Sequence, residues 1–305
     1  MDIISAFKTF VRVAETESFS AAARELNVGQ PAVSKQISSL EEHLGVRLFR
    51  RSTRSLTLTD AGRDLLVHAR VAIEAVEEAT DRLMGREGRV AGLLRMTTTI
   101  AFGRMHIVPR LGLLKAQYPD LKIDLVLQDH GVNLIEQGLD LAIRFGEQYE
   151  PNLIARRMGM IRTIVVASKA YLDANGRPES PYDLDRHETI AFGGRPGGDE
   201  WPFVDGGTPL SVKISWRFRI GNSDAIREAA LAGLGIAMVP SWVFPDLWEL
   251  DGMETLFDGW MPPPVPVYAV YPSRRFVPEK VRAMIEFLEH EIRLDPSMTG
   301  GTAVF

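Results

Sequence analysis

Cysteine is absent from this sequence. That removes disulfides, thiolate nucleophiles and cysteine-ligated zinc together, and it fits a reducing compartment. Long apolar runs are missing too. No stretch approaches the roughly 20 apolar residues of a membrane span, and the opening MDIISAFKTF has neither the basic leader nor the apolar centre of an export signal. A soluble, cytoplasmic protein with no membrane partner is expected. Net positive charge is lacking as well: at −5 the chain as a whole does not attract polyanions, so any nucleic-acid site has to be local. The six histidines, at 43, 68, 106, 130, 187 and 290, include no pair at metal-ligand spacing, and no metal is expected. GGRPGG at Gly193 to Gly198 has neither the Lys-Ser/Thr of a phosphate-binding loop nor the spacing of a dinucleotide fingerprint. With no G-x-S-x-G elbow and no recognisable carboxylate pair, no catalytic residue and no cofactor is assigned, and the expectation is that the chain is not an enzyme.

What is present is an ordinary globular composition, 45% hydrophobic and 25% charged, over 305 residues, which is more than one core usually serves. The first sixty residues read as three helices and a hairpin. Phe7, Phe10, Val11 and Ala14 make a helical stripe, Ser20 is an N-cap candidate for a short helix to Leu26, and Asn27-Val28-Gly29 supplies a sharp turn, asparagine tolerating the left-handed conformation such turns require. In the next helix Val33, Ile37, Leu40 and Leu44 share one face. VRLFRRSTRSLTLT then reads as strand, turn, strand, with Arg47, Arg50, Arg51 and Arg54 inside eight acid-free residues. Helix, turn, helix and an arginine-tipped hairpin make the plan of a winged helix-turn-helix.

The face of the third helix opposite its apolar stripe carries Gln30, Ser34, Lys35 and Ser38 rather than long mixed charges, with acids only from Glu41 onward. Base edges in the major groove are read by side chains of this kind near a helix N-terminus. Small Gly29 and Ala32 allow close approach, and Pro31 is tolerated in the first turn. Glu41 then falls where the helix would leave the groove. The hairpin arginines Arg50, Arg51 and Arg54 fit contacts to the phosphate backbone, which give affinity but little sequence choice.

From Asp60 to about Met84 no proline interrupts, and Leu65, Ala69, Ala72, Val76, Ala79 and Leu83 alternate spacings of four and three. That seam suits a second, identical helix, though it would also serve to pack on its own domain. Gly85, Gly88 and Gly92 mark a hinge. Beyond it LRMTTT, LKIDLVLQ, DLAIRFG, ARRMG, RTIVVAS, WRFRI, GIAMVP and VYAVY read as strands, with helices at Phe102 to Tyr118, Leu134 to Gly138, Asn222 to Ala232 and Pro278 to Arg293. This alternation predicts a ligand-binding α/β region of two lobes with parallel crossovers.

Ser18 to Gly62, SFSAAARELNVGQPAVSKQISSLEEHLGVRLFRRSTRSLTLTDAG, resembles the signature of the bacterial LysR-type transcriptional regulators, and LKIDLVLQ, LIEQGLDLAIRFGE and AALAGLGIAMVP resemble their effector domain. The resemblance implies a multidomain fold: a winged helix-turn-helix domain at 1–59, a linker and dimerisation helix at 60–87, and a two-lobed, periplasmic-binding-protein-like α/β domain at 88–294. Lobe I would be about 92–162 with 268–294, and lobe II about 163–267; the small and polar residues of 295–305 suggest a disordered tail. It also implies a homotetramer built from dimers, inverted-repeat promoter DNA as partner, RNA polymerase as a further partner of the class, and a small-molecule effector between the lobes that alters DNA bending. Gly29 departs from the family's usual serine and offers no hydroxyl to a phosphate.

For the cleft, Thr97, Thr98 and Thr99 end a strand just before a helix, so that hydroxyls and the N–H groups from Ile100 onward could meet an anion; equally, they could simply finish the strand and cap the helix. Ala101 stands before Phe102 and Gly103 where the family often has serine. Arg144 and Phe145 end the strand resembling the inter-lobe crossover, and Phe192 and Asn222 hold comparable positions in the second lobe. Each alone is explicable as structural; as a set they mark the cleft. Two rival readings are a transport solute-binding protein, which would need an export signal and no recognition helix, and an enzyme with an appended docking head.

Overall fold

The structure is a computed structural model that describes residues 1–51, 56–83, 90–147, 150–193, 199–247, 249–272 and 277–299. The chain divides into two compact units, one built on residues 1–90 and the other on most of the remaining chain; the short segments 133–139 and 277–280 group with the first.

The first unit contains helices α1 (Ile3–Thr16), α2 (Phe19–Glu25) and α3 (Gln30–Leu44), the hairpin β1 (Phe49–Arg51) and β2 (Leu56–Leu58), and the long α4 (Asp60–Leu83). Its core gathers Ala6, Phe10 and Val13 of α1, Ala22 and Ala23 of α2, Val33, Ile37 and Leu40 of α3, Leu48 and Phe49, and Ala69 of α4. The buried stripe of α1 is thus Ala6, Thr9, Phe10 and Val13, turned slightly from the expected one; Phe7, Val11 and Ala14 sit half-buried at its margins. Ser18, not Ser20, caps α2, its hydroxyl accepting the Ala21 N–H at 3.2 Å. The helix begins two residues earlier than expected because Phe19 is drawn inward onto Phe49, ring centroids 5.9 Å apart. Asn27 has φ 55°, and the turn closes with Asn27 N–H donating to Arg24 O and Val28 N–H to Ala23 O.

The second unit holds two mixed five-stranded sheets. Lobe I is ordered β4 (Asp120–Leu127), β3 (Ala91–Thr98), β5 (Leu141–Phe145), β15 (Val265–Pro272), β6 (Leu153–Ile161). Lobe II is ordered β11 (Trp216–Ile220), β8 (Thr189–Phe192), β12 (Ile236–Pro240), β7 (Thr163–Ser168), β13 (Met253–Leu256). Each runs parallel, parallel, antiparallel, antiparallel across its four pairings. The antiparallel pairs were not expected. They arise because β7 and β15 are the strands by which the chain enters a lobe from the other one, and a strand arriving from that end runs against its neighbours. The two crossings lie side by side, with Ser241 N–H donating to Arg162 O at 2.8 Å and the Thr163 hydroxyl to Pro263 O at 3.1 Å.

Several expectations need correction. The helix expected from Phe102 to Tyr118 is instead α5 (Ile100–Phe102), a π turn at Gly103–Ile107, a 3-10 turn at Val108–Arg110 and α6 (Leu111–Gln117). Pro109 cannot donate to the helical ladder, so the bonding pattern changes around it. Leu134 to Gly138 forms turns rather than a helix, with Asn133 capping its own backbone. Gly92 is not in a hinge but inside β3, paired with Leu121; Gly85 and Gly88 lie outside the described residues. Glu200–Asp205 (β9) and Thr208–Lys213 (β10) form a hairpin in a stretch to which no element was assigned, turning on Gly206 and Gly207, both at positive φ, with Trp260–Met261 (β14) on its other side. Most of GGRPGG lies outside the described residues.

The remaining helices are α7 (Lys169–Asn175), α8 (Ser223–Leu231), α9 (Glu279–Leu294) and α10 (Pro296–Thr299). The start of the expected disordered tail is therefore ordered: Met298 is buried, and Asp295 accepts from Arg110 at 2.7 Å. Residues 300–305 lie outside the described residues. Among the described residues no helix is long and apolar enough to cross a membrane.

Candidate nucleic-acid interface and effector cleft

α3 divides its residues cleanly. Val33, Ile37 and Leu40 are fully buried, whereas Gln30, Pro31, Ala32, Lys35 and Ser38 are exposed and Ser34 is half-buried. Gly29 caps the helix with extended backbone and no side-chain bond. Two ties fix the helix and its leading side chain. Gln36 bridges to α1, accepting from the Thr9 hydroxyl at 2.8 Å and donating to Ser5 Oγ at 3.0 Å. Ser20, displaced from the capping role, donates to Gln30 Oε1 at 3.1 Å and so orients that amide toward the exposed face.

Glu41 is not a solvent-facing acid where the helix leaves a groove. It is 7% exposed, and its carboxylate holds the hairpin: Oε1 accepts the Leu48 and Phe49 N–H groups at 2.8 and 3.2 Å, and Oε2 accepts from Arg47 at 2.8 Å. Burial alone would raise its pKa, but those three donors outweigh it and hold the group below the ordinary carboxylate range. Arg47 is thereby paired, whereas Arg50 is exposed, directed away from the core because its strand neighbour Phe49 is buried. Arg51 pairs with Leu56 in the hairpin, its side chain not described, and Arg54 lies outside the described residues. Thr59 ties hairpin to linker, its hydroxyl donating to Arg47 O and accepting from Gly62 N–H, as expected of a cap on α4. Along the α4 seam, Ala69 is buried in the head core and Leu65 packs on it, while Val76 and Ala79 are exposed and the Leu83 side chain is not described. The first half of the seam serves its own domain, whereas Val76 and Ala79 beyond it are uncovered.

In the second unit, Thr98, Phe145 and Phe192 end β3, β5 and β8, at the carboxyl edges where ligands bind in open α/β sheets. Not all of the expected residues are exposed to a ligand. Thr98 is buried, its hydroxyl donating to Ile143 O at 3.2 Å inside lobe I, and Phe102 is 1% exposed. Phe102 packs against Phe145 (4.9 Å between centroids) and Trp242 of lobe II (5.4 Å), forming an aromatic bridge between the lobes. Arg144 is engaged by Glu150 and donates to Val132 O at 2.7 Å. Ile100 and Asn222 do come together, through a residue that was not singled out: Asp129 accepts the Ile100 N–H at 3.1 Å with one oxygen and the Asn222 side-chain amide at 2.6 Å with the other. The Thr99 hydroxyl is buried and makes no hydrogen bond. No group of three or more His, Asp or Glu among the described residues could hold a metal.

The sequence matches the family description "LysR substrate binding domain" over residues 87–293 and "Bacterial regulatory helix-turn-helix protein, lysR family" over residues 4–63. The chain belongs to the LysR family. Among curated LysR-type relatives, a HTH-type transcriptional regulator of Xanthomonas campestris is 32% identical over 290 residues, covering 94% of this chain and 84% of that protein. The HTH-type transcriptional activator AaeR of Escherichia coli is 31% identical, over 94% of this chain and 93% of its own. Among solved structures, CrgA, a LysR-type transcriptional regulator from Neisseria meningitidis, is 28% identical with a TM-score of 0.60, over 94% of this chain and 98% of that one. As a LysR-family member the chain is a DNA-binding transcriptional regulator with a domain for a small-molecule effector.

In this LysR-type chain Asp129, Arg104, Asp224 and Trp242 were not among the expected site residues, and Glu41 was expected only as an acid at the end of the groove. Asp129 carried a positional signal, since it lies two residues beyond β4 in a strand-end loop. Glu41 acquires its role from the hairpin that follows its helix, and Arg104, Asp224 and Trp242 acquire theirs from partners far along the chain. Arg104 of lobe I binds Asp224 of α8 through two nitrogens, at 2.7 and 3.0 Å.

Proposed function

We propose that α3 enters the major groove of promoter DNA, where Gln30, Ser34, Lys35 and Ser38 read base edges while Pro31 and Ala32 permit close approach. Arg50, Arg51 and Arg54 grip the flanking phosphates. The observation that carries this reading is the division of α3 into a buried apolar stripe and an exposed face of amide, hydroxyl and ammonium groups. The exposed Val76 and Ala79 of α4 support pairing of two copies through the linker helix, and two such dimers would make a tetramer on an inverted repeat. A cytoplasmic location, no catalytic activity and no cofactor fit the same role, with RNA polymerase as the further partner at the promoter.

The effector site in this reading is the region between the lobes at Thr99, Ile100, Phe145, Phe192 and Asn222. Thr98 and Phe102 support it from within lobe I, and Arg144 would have to exchange Glu150 for a ligand. The test of the DNA reading is a footprint on the protein's own promoter region across a salt series. Gln30→Ala should lower specific affinity by about 1–3 kcal/mol while leaving non-specific binding unchanged. A normal Gln30→Ala footprint at unchanged affinity would overturn the docking.

A further inference from the structure

The Asp129 carboxylate sits between one donor from each lobe, and neither DNA binding nor the aromatic bridge uses it. The loop that carries it is fixed to lobe I on both sides. Gln128 N–H donates to Thr98 O at 3.0 Å, and Arg144 donates to Val132 O at 2.7 Å. From that anchored loop the carboxylate reaches the Ile100 N–H at 3.1 Å within lobe I and the Asn222 amide at 2.6 Å on lobe II. Asn222 has no second function to spare, because its carbonyl oxygen already caps α8 by accepting the Ala225 N–H at 2.9 Å. Two residues on, Asp224 is held by Arg104 of lobe I. The first turn of α8 is thus fastened to lobe I at two points, of which one is a carboxylate lodged between two uncharged donors.

We propose that Asp129 is a built-in carboxylate ligand of the inter-lobe cleft, occupying the place of a small carboxylate effector, which binds by displacing it. This rests on reading the cleft as the effector site. Two carboxylates are not held together on these two donors: neither donor carries a charge to offset their repulsion, and the Ile100 N–H has a single proton to give. Effector binding is therefore an exchange in which the Asp129 bonds are lost as the effector's are made, and the tethered group lowers the effector's apparent affinity by the fraction of time it holds the site. The exchange also frees the loop at residues 128–132 from lobe II, which gives the two states of the domain a structural difference.

The test is chemical rescue in the full-length protein, with acetate as the probe and sodium chloride at equal ionic strength as the control. Thermal unfolding of the second unit should show little response to acetate in the wild type. Asp129→Ala should unfold several degrees lower, and about 50 mM acetate should restore most of that loss while chloride does not. Asp129→Asn fills the space with an amide whose NH2 opposes a donor, and it should be destabilised without an acetate response. An Asp129→Ala protein as stable as wild type, or one destabilised and indifferent to acetate, overturns the proposal. Should Asp129→Ala not accumulate, Asp129→Ser opens the same site and must show the same acetate-specific gain. No DNA enters this measurement, so its failure and a failure of the α3 docking are read separately.

Discussion

Replacing Glu41 separates the two parts of the wing's attachment. In Glu41→Ala, the Leu48 and Phe49 N–H groups lose this carboxylate acceptor at a buried position, and leaving a buried donor unmet costs about 1–3 kcal/mol each. The Arg47 bond adds little, since that side chain is 80% exposed. The expected loss is about 3–4 kcal/mol. In Glu41→Gln, the oxygen that accepts from both backbone groups can remain, and only the charge and the Arg47 contact go, for a loss of about 1 kcal/mol. The assay is hydrogen exchange in the full chain, measured at the hairpin amides over a urea series, because local opening there need not coincide with unfolding of the second unit. Equal losses in both variants, or an alanine variant within about 0.5 kcal/mol of wild type, would refute the idea that Glu41 holds the hairpin through its two N–H bonds. The same site has a signed pH dependence. The folded state holds Glu41 below its ordinary pKa, so this stabilisation is complete above the ordinary carboxylate range and is lost as the pH falls through the lowered value. Hairpin protection should therefore persist at neutral and mildly acid pH and fail on stronger acidification.

Other outcomes depend on single contacts. Arg50→Ala should weaken binding to all duplexes alike and reduce the salt slope by about one; a loss confined to one sequence would show that Arg50 reads a base. Gly62→Ala, which in an ordinary helix gains about 1 kcal/mol, should instead lose about 2 kcal/mol or more in chemical denaturation, because a Cβ there would lie 2.2 Å from Leu48 O. A stabilised Gly62→Ala would show that α4 does not press on the hairpin at this point. Trp242→Ala should cost about 3–5 kcal/mol in unfolding monitored by circular dichroism, since a buried indole is removed from between Phe102, Phe145 and His106. A loss under about 1 kcal/mol would mean that the aromatic bridge contributes nothing between the lobes.

Much of this protein is written in its sequence, because much of it is local. Val33, Ile37 and Leu40 fix the buried face of α3 by helical spacing alone, and the exposed face results by elimination. Asn27 announces its turn through a conformation that few side chains tolerate. The strands β7 and β12 are legible as short apolar runs, and β4 by its alternation of polar and apolar residues. Other features were present but hidden by composition: the β9–β10 hairpin turns on Gly206 and Gly207, yet so many glycines and prolines lie near it that no strand pattern stands out.

What only the tertiary structure decided depends on contacts between separate elements. A sequence gives Glu41 as one more helix acid; its burial against Leu48 and Phe49 requires the hairpin to fold back upon α3. Mixed strand directions in both lobes come from the path of the chain as it crosses between them, which neither the strand nor the helix period encodes. The cleft is the extreme case. Thr98 and Phe102 sit within a few residues of Ile100, yet Thr98 bonds inside lobe I and Phe102 is buried against Phe145 and Trp242, while Ile100 offers its N–H to Asp129. Asp129 meets Asn222 across 93 positions of sequence. Periodicity fixes which face of an element is apolar, whereas which polar groups finally meet is set by how separate elements are brought together, and that is a property of the folded chain alone.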